Sequence, residues 1–194
     1  MSGVRKPVYH EGHRALQDRF DGRRVADALE RVRRLDVFGP DEIEMIETSE
    51  FFFLATAHGD SVDCSFKGGA PGFVRVTGPA TLEWPDYDGN SMYRSLGNIK
   101  CSPRAGLLFI RFGEKPKRLR VNGLCELLDG VGGKLAVRLQ ADEIFPNCPR
   151  YIPDLANGVA SPDAVAGGGV GPKPAWKDRP ELAGELPQND PHRR

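Results

Sequence analysis

What the chain lacks narrows the field first. It has four cysteines, Cys64, Cys101, Cys125 and Cys148, and none forms a CxxC pair or stands at ligand spacing from one of the four histidines. That excludes the common zinc patterns, and no metal site is expected. Reduced thiols packed as small hydrophobes are the plainest reading of the four, with a redox role for Cys148 as the alternative. There is no charge excess either. The 27 Lys and Arg residues balance 27 Asp and Glu residues, so nothing points to nucleic acid or to an anionic membrane surface as a partner. No apolar run approaches the ~20 residues of a spanning helix. The opening MSGVRKPVYHEGHR lacks the apolar centre of a signal peptide. A cytoplasmic protein is the expectation. No Ser/His/Asp set and no carboxylate pair stands out, and His10, His13, His58 and His192 read as peripheral. No catalytic residue is assigned.

What the chain has in excess is glycine and proline, 23 and 16 of 194 residues. Many act as punctuation between short apolar stretches. Arg14 to Leu35 (RALQDRFDGRRVADALERVRRL) has roughly helical spacing through Leu16, Phe20, Val25, Leu29 and Val32, with a break at Asp21-Gly22. Its arginines fit a solvated face or, alternatively, a partner surface. Asp41 to Thr48 follows Gly39-Pro40 and reads as a short helix with acids in its first turn. Strands are expected at Glu50–Ala57, Ser61–Lys67, Phe73–Thr77, Ala80–Trp84, Arg104–Phe112, Lys117–Leu128 and Lys134–Phe145. Gly123 is a candidate bulge, and a helix over part of the last stretch is the alternative. Seven strands with short turns and one inserted helix make the chain mainly β, an antiparallel barrel or sandwich. Residues 1–13 are polar and read as loosely held. After Tyr151 the periodicity is lost, and the composition is that of a flexible or draped tail anchored by Trp176. The expected organisation is an N-terminal helical segment over 1–49, a β-barrel over 50–150 and an extended tail over 151–194.

The stretch Trp84 to Phe112 (WPDYDGNSMYRSLGNIKCSPRAGLLFIRF) organises the rest. PDYDGN is a run of turn formers, with Asp86 and Asp88 shaping the way into a helix and Tyr87 available to a ligand. Ser91 to Lys100 has the spacing of a short amphipathic helix, with Met92, Leu96 and Ile99 on one side and Arg94 and Ser95 in its first turns. A helix N-terminus offers unpaired N–H groups and partial positive charge. With an Arg and a hydroxyl added, it suits a phosphate monoester. Ser61 to Lys67 alternates Val62, Cys64 and Phe66 with Ser61, Asp63, Ser65 and Lys67, a strand with one wet or ligand-facing side. Gly68 to Gly72 leaves room for backbone to approach a ligand, or is a plain hairpin connection.

Three stretches carry a family resemblance: DCSFKGGAPGFVRV, the WPDYDGN–MYRSLGN–SPRAGLLF run, and RLRVNGLCEL. In order and spacing they resemble the pyridoxamine 5'-phosphate oxidase family of flavin-binding split β-barrels, over about residues 45–150. IFPNCPRYI resembles one branch of that superfamily. The resemblance implies an FMN-binding, homodimeric split barrel with FMN at the subunit interface and a small-molecule substrate. It implies that Asp63, Cys64, Ser65, Phe66 and Lys67 line the ring edge and ribityl chain. Arg94 and Ser95 fall where the family holds the phosphate. Arg118 lies where the family has a polar group near the flavin, with Asn122 on the same strand. Positive charge or donors near the ring's N1 would favour the reduced anionic flavin, a role open to Lys67 or Arg118.

Two departures matter. Val62 or Asp63 replaces the Arg that usually opens the first flavin strand, and Ser95 stands where a second cation is usual. The phosphate grip is therefore lighter in charge, and Lys67 or the other subunit has to help. The C-terminal His/Arg motif that holds pyridoxal phosphate is not evident, which argues against vitamin B6 oxidation. The expected function is an FMN-dependent oxidoreductase. The alternatives are an F420-dependent reductase, whose cofactor's acidic tail would use the Arg-rich N-terminal helix, and a flavin- or haem-binding protein without turnover. Plain surface roles for Lys67, Arg94, Arg118 and Arg120 remain alternatives residue by residue.

Overall fold

The computed structural model describes residues 7–87, 91–130, 134–155, 157–159, 162 and 171–193. Asp88, Gly89 and Asn90 of the PDYDGN run, residues 131–133, the first six residues and most of 160–170 lie outside them. The chain divides into two compact units, Leu35–Asn147 and a second made of Met1–Arg34 with Cys148–Arg194.

The unit Leu35–Asn147 holds helix α3 (Pro40–Thr48), strands β1 (Phe51–His58), β2 (Ser61–Gly68), β3 (Arg75–Gly78) and β4 (Thr81–Pro85), helix α4 (Arg94–Cys101), and strands β5 (Arg104–Arg111), β6 (Lys117–Asp129) and β7 (Leu135–Asn147). Every pairing is antiparallel, in the order β2-β1-β5-β6-β7-β4-β3. Laid flat, β1 and β4 would stand about 19 Å apart at the usual strand spacing. Yet Phe52 of β1 meets Trp84 of β4 edge-on at 5.3 Å between ring centroids. Phe52 also packs on Phe109 of β5. The sheet therefore curls around one core of Phe52, Leu54, Leu82, Trp84, Leu107, Phe109, Val121, Val137 and Leu139. Its edge strands, β2 and β3, are not paired to each other. The architecture is mainly β, a split barrel.

The bulge read at Gly123 is present. The β6–β7 register shifts between Asn122 and Gly123, and a Cβ at Gly123 would collide with the Gln140 carbonyl. α3 begins at Pro40, and its Glu42 carboxylate accepts the Gly39 N–H, the one half of a capping box that a glycine N-cap allows.

In the other unit, α1 (Glu11–Arg19) and α2 (Arg23–Arg33) are separated at the expected break, where Asp21 is left-handed at φ 53°. The first helix starts before Arg14. His10 caps it by accepting the Gly12 N–H, and the His10 N–H donates to His13 Nδ1, a device that hydrophobic periodicity does not report. The arginines pair locally: Arg14 with Asp27, Arg23 with Asp18, Arg24 with Asp21, and Arg34 with Glu30. The Arg23–Asp18 and Arg24–Asp21 pairs are exposed and of little energetic weight.

The tail is more structured than its composition suggests. A 3-10 turn (Ala175–Asp178) and α5 (Pro180–Ala183) bury Leu182 and Leu186. Lys177 is buried and donates to both carboxylate oxygens of Asp190, at 2.7 and 2.6 Å. Cysteine burial is also uneven: only Cys125 is a packed core thiol, its pKa pushed up to about 12 by burial. Cys64 and Cys101 are exposed and Cys148 is half-buried, so the small-hydrophobe reading holds for Cys125 alone.

Two measurements test this account. Replacing Gly123 with Ala should destabilise the barrel by at least about 2 kcal/mol in chemical denaturation, because a backbone carbonyl cannot move aside. An unchanged midpoint would mean the bulge does not bring β6 that close to β7. The second concerns Asp190. Burial pushes its carboxyl up, but hydrogen bonds from Lys177 and the His192 N–H, with their charges, outweigh it and hold the group below its ordinary 3.8. A depressed carboxylate stabilises the fold above its unfolded pKa and loses that contribution as pH falls through the range below about 4. Asp190→Asn should therefore weaken amide-exchange protection over 180–186 by about 3 kcal/mol at pH 7, with no further specific loss on acidification. A wild-type protein whose protection there does not respond to pH between 5 and 3 would contradict it.

Candidate functional site

The site begins with the register of one hairpin. β2 pairs with β1 along its full length, from Phe51 opposite Gly68 to His58 opposite Ser61. Paired residues share a face of the sheet. Asp63, Ser65 and Lys67 lie opposite Thr56, Leu54 and Phe52, all three buried. The polar row of β2 is therefore on the concave side. The apolar row is the one that faces outward, with Val62 77% and Phe66 62% exposed. Of the two uses open to the polar side in the sequence, wet or ligand-facing, the structure gives it a cavity.

That cavity, about 630 Å³, is lined on one side by Asp63, Ser65, Phe66, Lys67 and Gly68, and on the other by Pro85, Asp86, Tyr87, Lys134 and Leu135. The turn into α4 closes it, through Ser91, Met92, Tyr93, Arg94, Ser95 and Leu96. The far wall is fixed where β4 meets β7: Pro85 pairs with Ala136, and the Asp86 N–H donates to the Leu135 carbonyl at 2.8 Å.

α4 starts later than its amphipathic spacing suggests, at Arg94 and not Ser91. Ser91 and Tyr93 are left-handed, at φ 59° and 49°, a conformation that ends any helix preceding Arg94. Met92, read as part of the apolar face, is consequently exposed, whereas Leu96 and Ile99 are buried. Tyr93 contributes no side-chain cap, so the first-turn N–H groups of α4 are left to the cavity. The helix is moored from behind, where Asn98 Nδ2 donates to the buried Thr56 Oγ1 at 3.1 Å.

Between β2 and this helix lies a compact polar contact. The Ser95 hydroxyl, on a residue only 4% exposed, donates to Asp63 Oδ2 at 2.9 Å. Ser65 and Ser95 hydroxyls are hydrogen-bonded at 2.9 Å. Arg94 Nε lies 3.4 Å from Asp63 Oδ1, with the arginine side chain 56% exposed and the aspartate 13%.

The structure thus brings together Asp63, Ser65, Phe66, Lys67, Arg94 and Ser95 of the residues singled out in the sequence. Cys64 is on the outer row of β2, away from the cavity lining. Arg118 sits on β6 opposite Ile110 and Asn147, two strands beyond β1 and outside the lining. Asn122 is on the same outer row, its Oδ1 close to Gly106. The glycine loop makes its close approach to protein: a Cβ at Gly69 would meet Phe73 and Tyr87, and the Gly69 and Gly72 N–H groups donate to the Glu50 and Glu47 carbonyls. Lys134 is the cation that the sequence reading missed. It stands alone after a turn, and only the β4–β7 pairing carries it to the cavity. No group of three or more His, Cys, Asp or Glu side chains suits a metal ion among the described residues.

No protein-family model matches the sequence, and no curated protein does at a significant level. The chain is similar to solved structures. One is a provisionally assigned pyridoxamine 5'-phosphate oxidase from Lactobacillus delbrueckii, 17% identical over 59% of this chain and 99% of that one, with a TM-score of 0.46. A second is an FAD-binding protein from Mesorhizobium loti, 14% identical over 56% and 93%, TM-score 0.42. A third is an FMN-binding protein from Syntrophomonas wolfei, 11% identical over 69% and 95%, TM-score 0.42. No helix among the described residues is long and apolar enough to cross a membrane.

Proposed function

We propose that the cavity binds a flavin mononucleotide, with its phosphate at the first turn of α4, and that the protein is an FMN-dependent oxidoreductase of an unidentified small molecule. One observation carries the reading. Residues about thirty positions apart, on β2 and α4, converge on one concave site that combines a helix N-terminus without a side-chain cap and an exposed guanidinium. Lys67 and Lys134 add cations to the same lining. The family resemblance and the flavin-binding proteins among similar structures support it.

The donor set fits the group. Arg94 offers a planar fork for phosphate oxygens, while the α4 N–H groups offer directed donors and partial positive charge. The β2 edge carries a fixed row of backbone groups that suits the polar edge of a flat ring, and Tyr87 supplies an aromatic wall, itself backed by Phe73 at 6.3 Å. A bound flavin would supply the hydride or electron transfer. The chain's own share is to hold the phosphate, orient the ring and cover one side of it. Cys64 and Arg118 are not among the residues that line this cavity, and the proposed site does not use them.

We also propose a homodimer, which the outer row of β2 supports. Phe66 stands opposite Phe53 on β1, and Cys64 and Val62 opposite Ala55 and Ala57. Phe51 stacks on Phe66 at 5.4 Å and on Phe112 at 6.1 Å. An exposed aromatic face on an edge hairpin is a surface that a second copy would cover. The F420 alternative is not favoured. Arg14, Arg23, Arg24 and Arg34, four of the arginines it would draw on, are paired with carboxylates of the same N-terminal segment.

Purified protein should take up FMN with quenching of its fluorescence, and Arg94→Ala should weaken that binding about tenfold or more, the worth of a charged hydrogen bond. Unchanged affinity would remove α4 from the site. In sedimentation, wild type should run as a dimer and Phe66→Glu should shift it toward monomer, by placing a charge in the apolar face. A wild-type monomer would refute the interface.

A further inference from the structure

We infer that Asp63 sets how strongly the cavity discriminates a phosphorylated flavin from its unphosphorylated form. The inference rests on the flavin reading of the cavity and assigns a role within it that the sequence resemblance does not supply, since that resemblance has a cation near this position.

Asp63 is largely buried, and its carboxylate sits against the first turn of α4, where an incoming phosphate would place its own charge. It uses the groups that would greet that phosphate. Ser95 has one hydroxyl proton, and it is donated to Asp63 Oδ2. The Ser65–Ser95 hydrogen bond must then run from Ser65 as donor to Ser95 Oγ as acceptor. Both hydroxyl protons thus point along a chain that ends at the carboxylate, and neither is directed at a ligand. Arg94 has its Nε turned to Asp63 Oδ1, which offsets part of its charge. A phosphate bound here shares Arg94 with a fixed carboxylate and is repelled by it. The ribityl chain and ring of a flavin carry no such charge and do not meet this opposition. Lys67 and Lys134 line the same cavity, with Asp86 on its far wall, so attraction is present, and Asp63 is the carboxylate that limits it at the first turn of α4.

The test compares FMN with riboflavin by fluorescence quenching on wild type and on Asp63→Asn, which keeps the size of the side chain and an oxygen for the Ser95 hydroxyl. In wild type the two ligands should differ by less than tenfold. In the variant FMN should bind at least tenfold more tightly and riboflavin within twofold of before. Equal shifts for both, or weaker FMN binding, would overturn the inference, the latter by showing that Asp63 chiefly supports Arg94. A parallel titration with inorganic phosphate, followed through the amide resonances of Arg94 to Leu96, separates this from the flavin reading. If neither protein binds a flavin but Asp63→Asn binds phosphate more tightly at those amides, the flavin reading fails and the charge-limiting role of Asp63 stands. No tightening with either phosphate or FMN removes the role. Should the Asn variant not fold, Asp63→Ser, neutral and smaller, takes its place in the same titrations.

Discussion

The alignment of β2 on β1 is the constraint on which the rest depends. The two strands are joined by Gly59 and Asp60, with Gly59 left-handed at φ 55°, the backbone that a two-residue hairpin turn favours. That turn sets His58 opposite Ser61 and, by the period of two, every later pair. A slip of one residue would exchange the faces: Val62, Cys64 and Phe66 would turn inward and Asp63, Ser65 and Lys67 would turn out. The register is held from the β1 side, where Phe52 and Leu54 are completely buried and cannot leave the core at a cost of only a few kcal/mol. The polar wall of the cavity and the aromatic outer face are thus two consequences of one pairing.

α4 completes the site because it is fixed at both ends by different means. Leu96 and Ile99 enter the core, and Asn98 is tied to Thr56 on β1. These contacts orient the helix axis. The left-handed residues Ser91 and Tyr93 then bring the chain into it without a capping side chain. Non-glycine residues in this conformation cost of order 1 kcal/mol each, and both line the cavity. What results is a helix start that faces β2, with Arg94 on the open side and Ser95 on the buried side. Adjacent residues at a helix start point in directions about 100° apart, so one can reach solvent while the next seals against Asp63.

Much of this was legible from the sequence, for identifiable reasons. Seven strands, the break at Asp21-Gly22, the Pro40 helix start and the Gly123 bulge all followed from period, proline and glycine chemistry. These signals are local, and the fold obeys them. Three features were not legible. The start of α4 was misplaced because an amphipathic pattern continues through Met92, while left-handed backbone at Ser91 and Tyr93 leaves no signature in hydrophobicity. The direction of β2's two rows needed the register, since alternation says that the faces differ and not which is inside. Here the usual rule is inverted, and apolar side chains face out. The contributions of Lys134 and the ordered turn and helix over 175–183 were hidden because each depends on residues far away in sequence. The ion pair of Lys177 with Asp190 lies within a stretch whose composition alone reads as tail.

The inverted strand also bears on what the surface requires. An edge strand with unpaired backbone groups is normally protected by charge, by a bulge or by cover. β2 has none of the first on its outer row: Val62, Cys64 and Phe66 carry no charge, and its pairing with β1 has no register shift. Its charges are all spent on the concave side. A strand built to line a polar cavity with Asp63, Ser65 and Lys67 must present its alternate residues outward, and apolar residues there are stable only if something covers them. The same alternation that makes a binding wall therefore creates a demand for a second surface. In the proposed homodimer that demand is met by the other copy, so that a single eight-residue strand ties ligand binding and subunit pairing to one another through nothing more than the period of a β-strand.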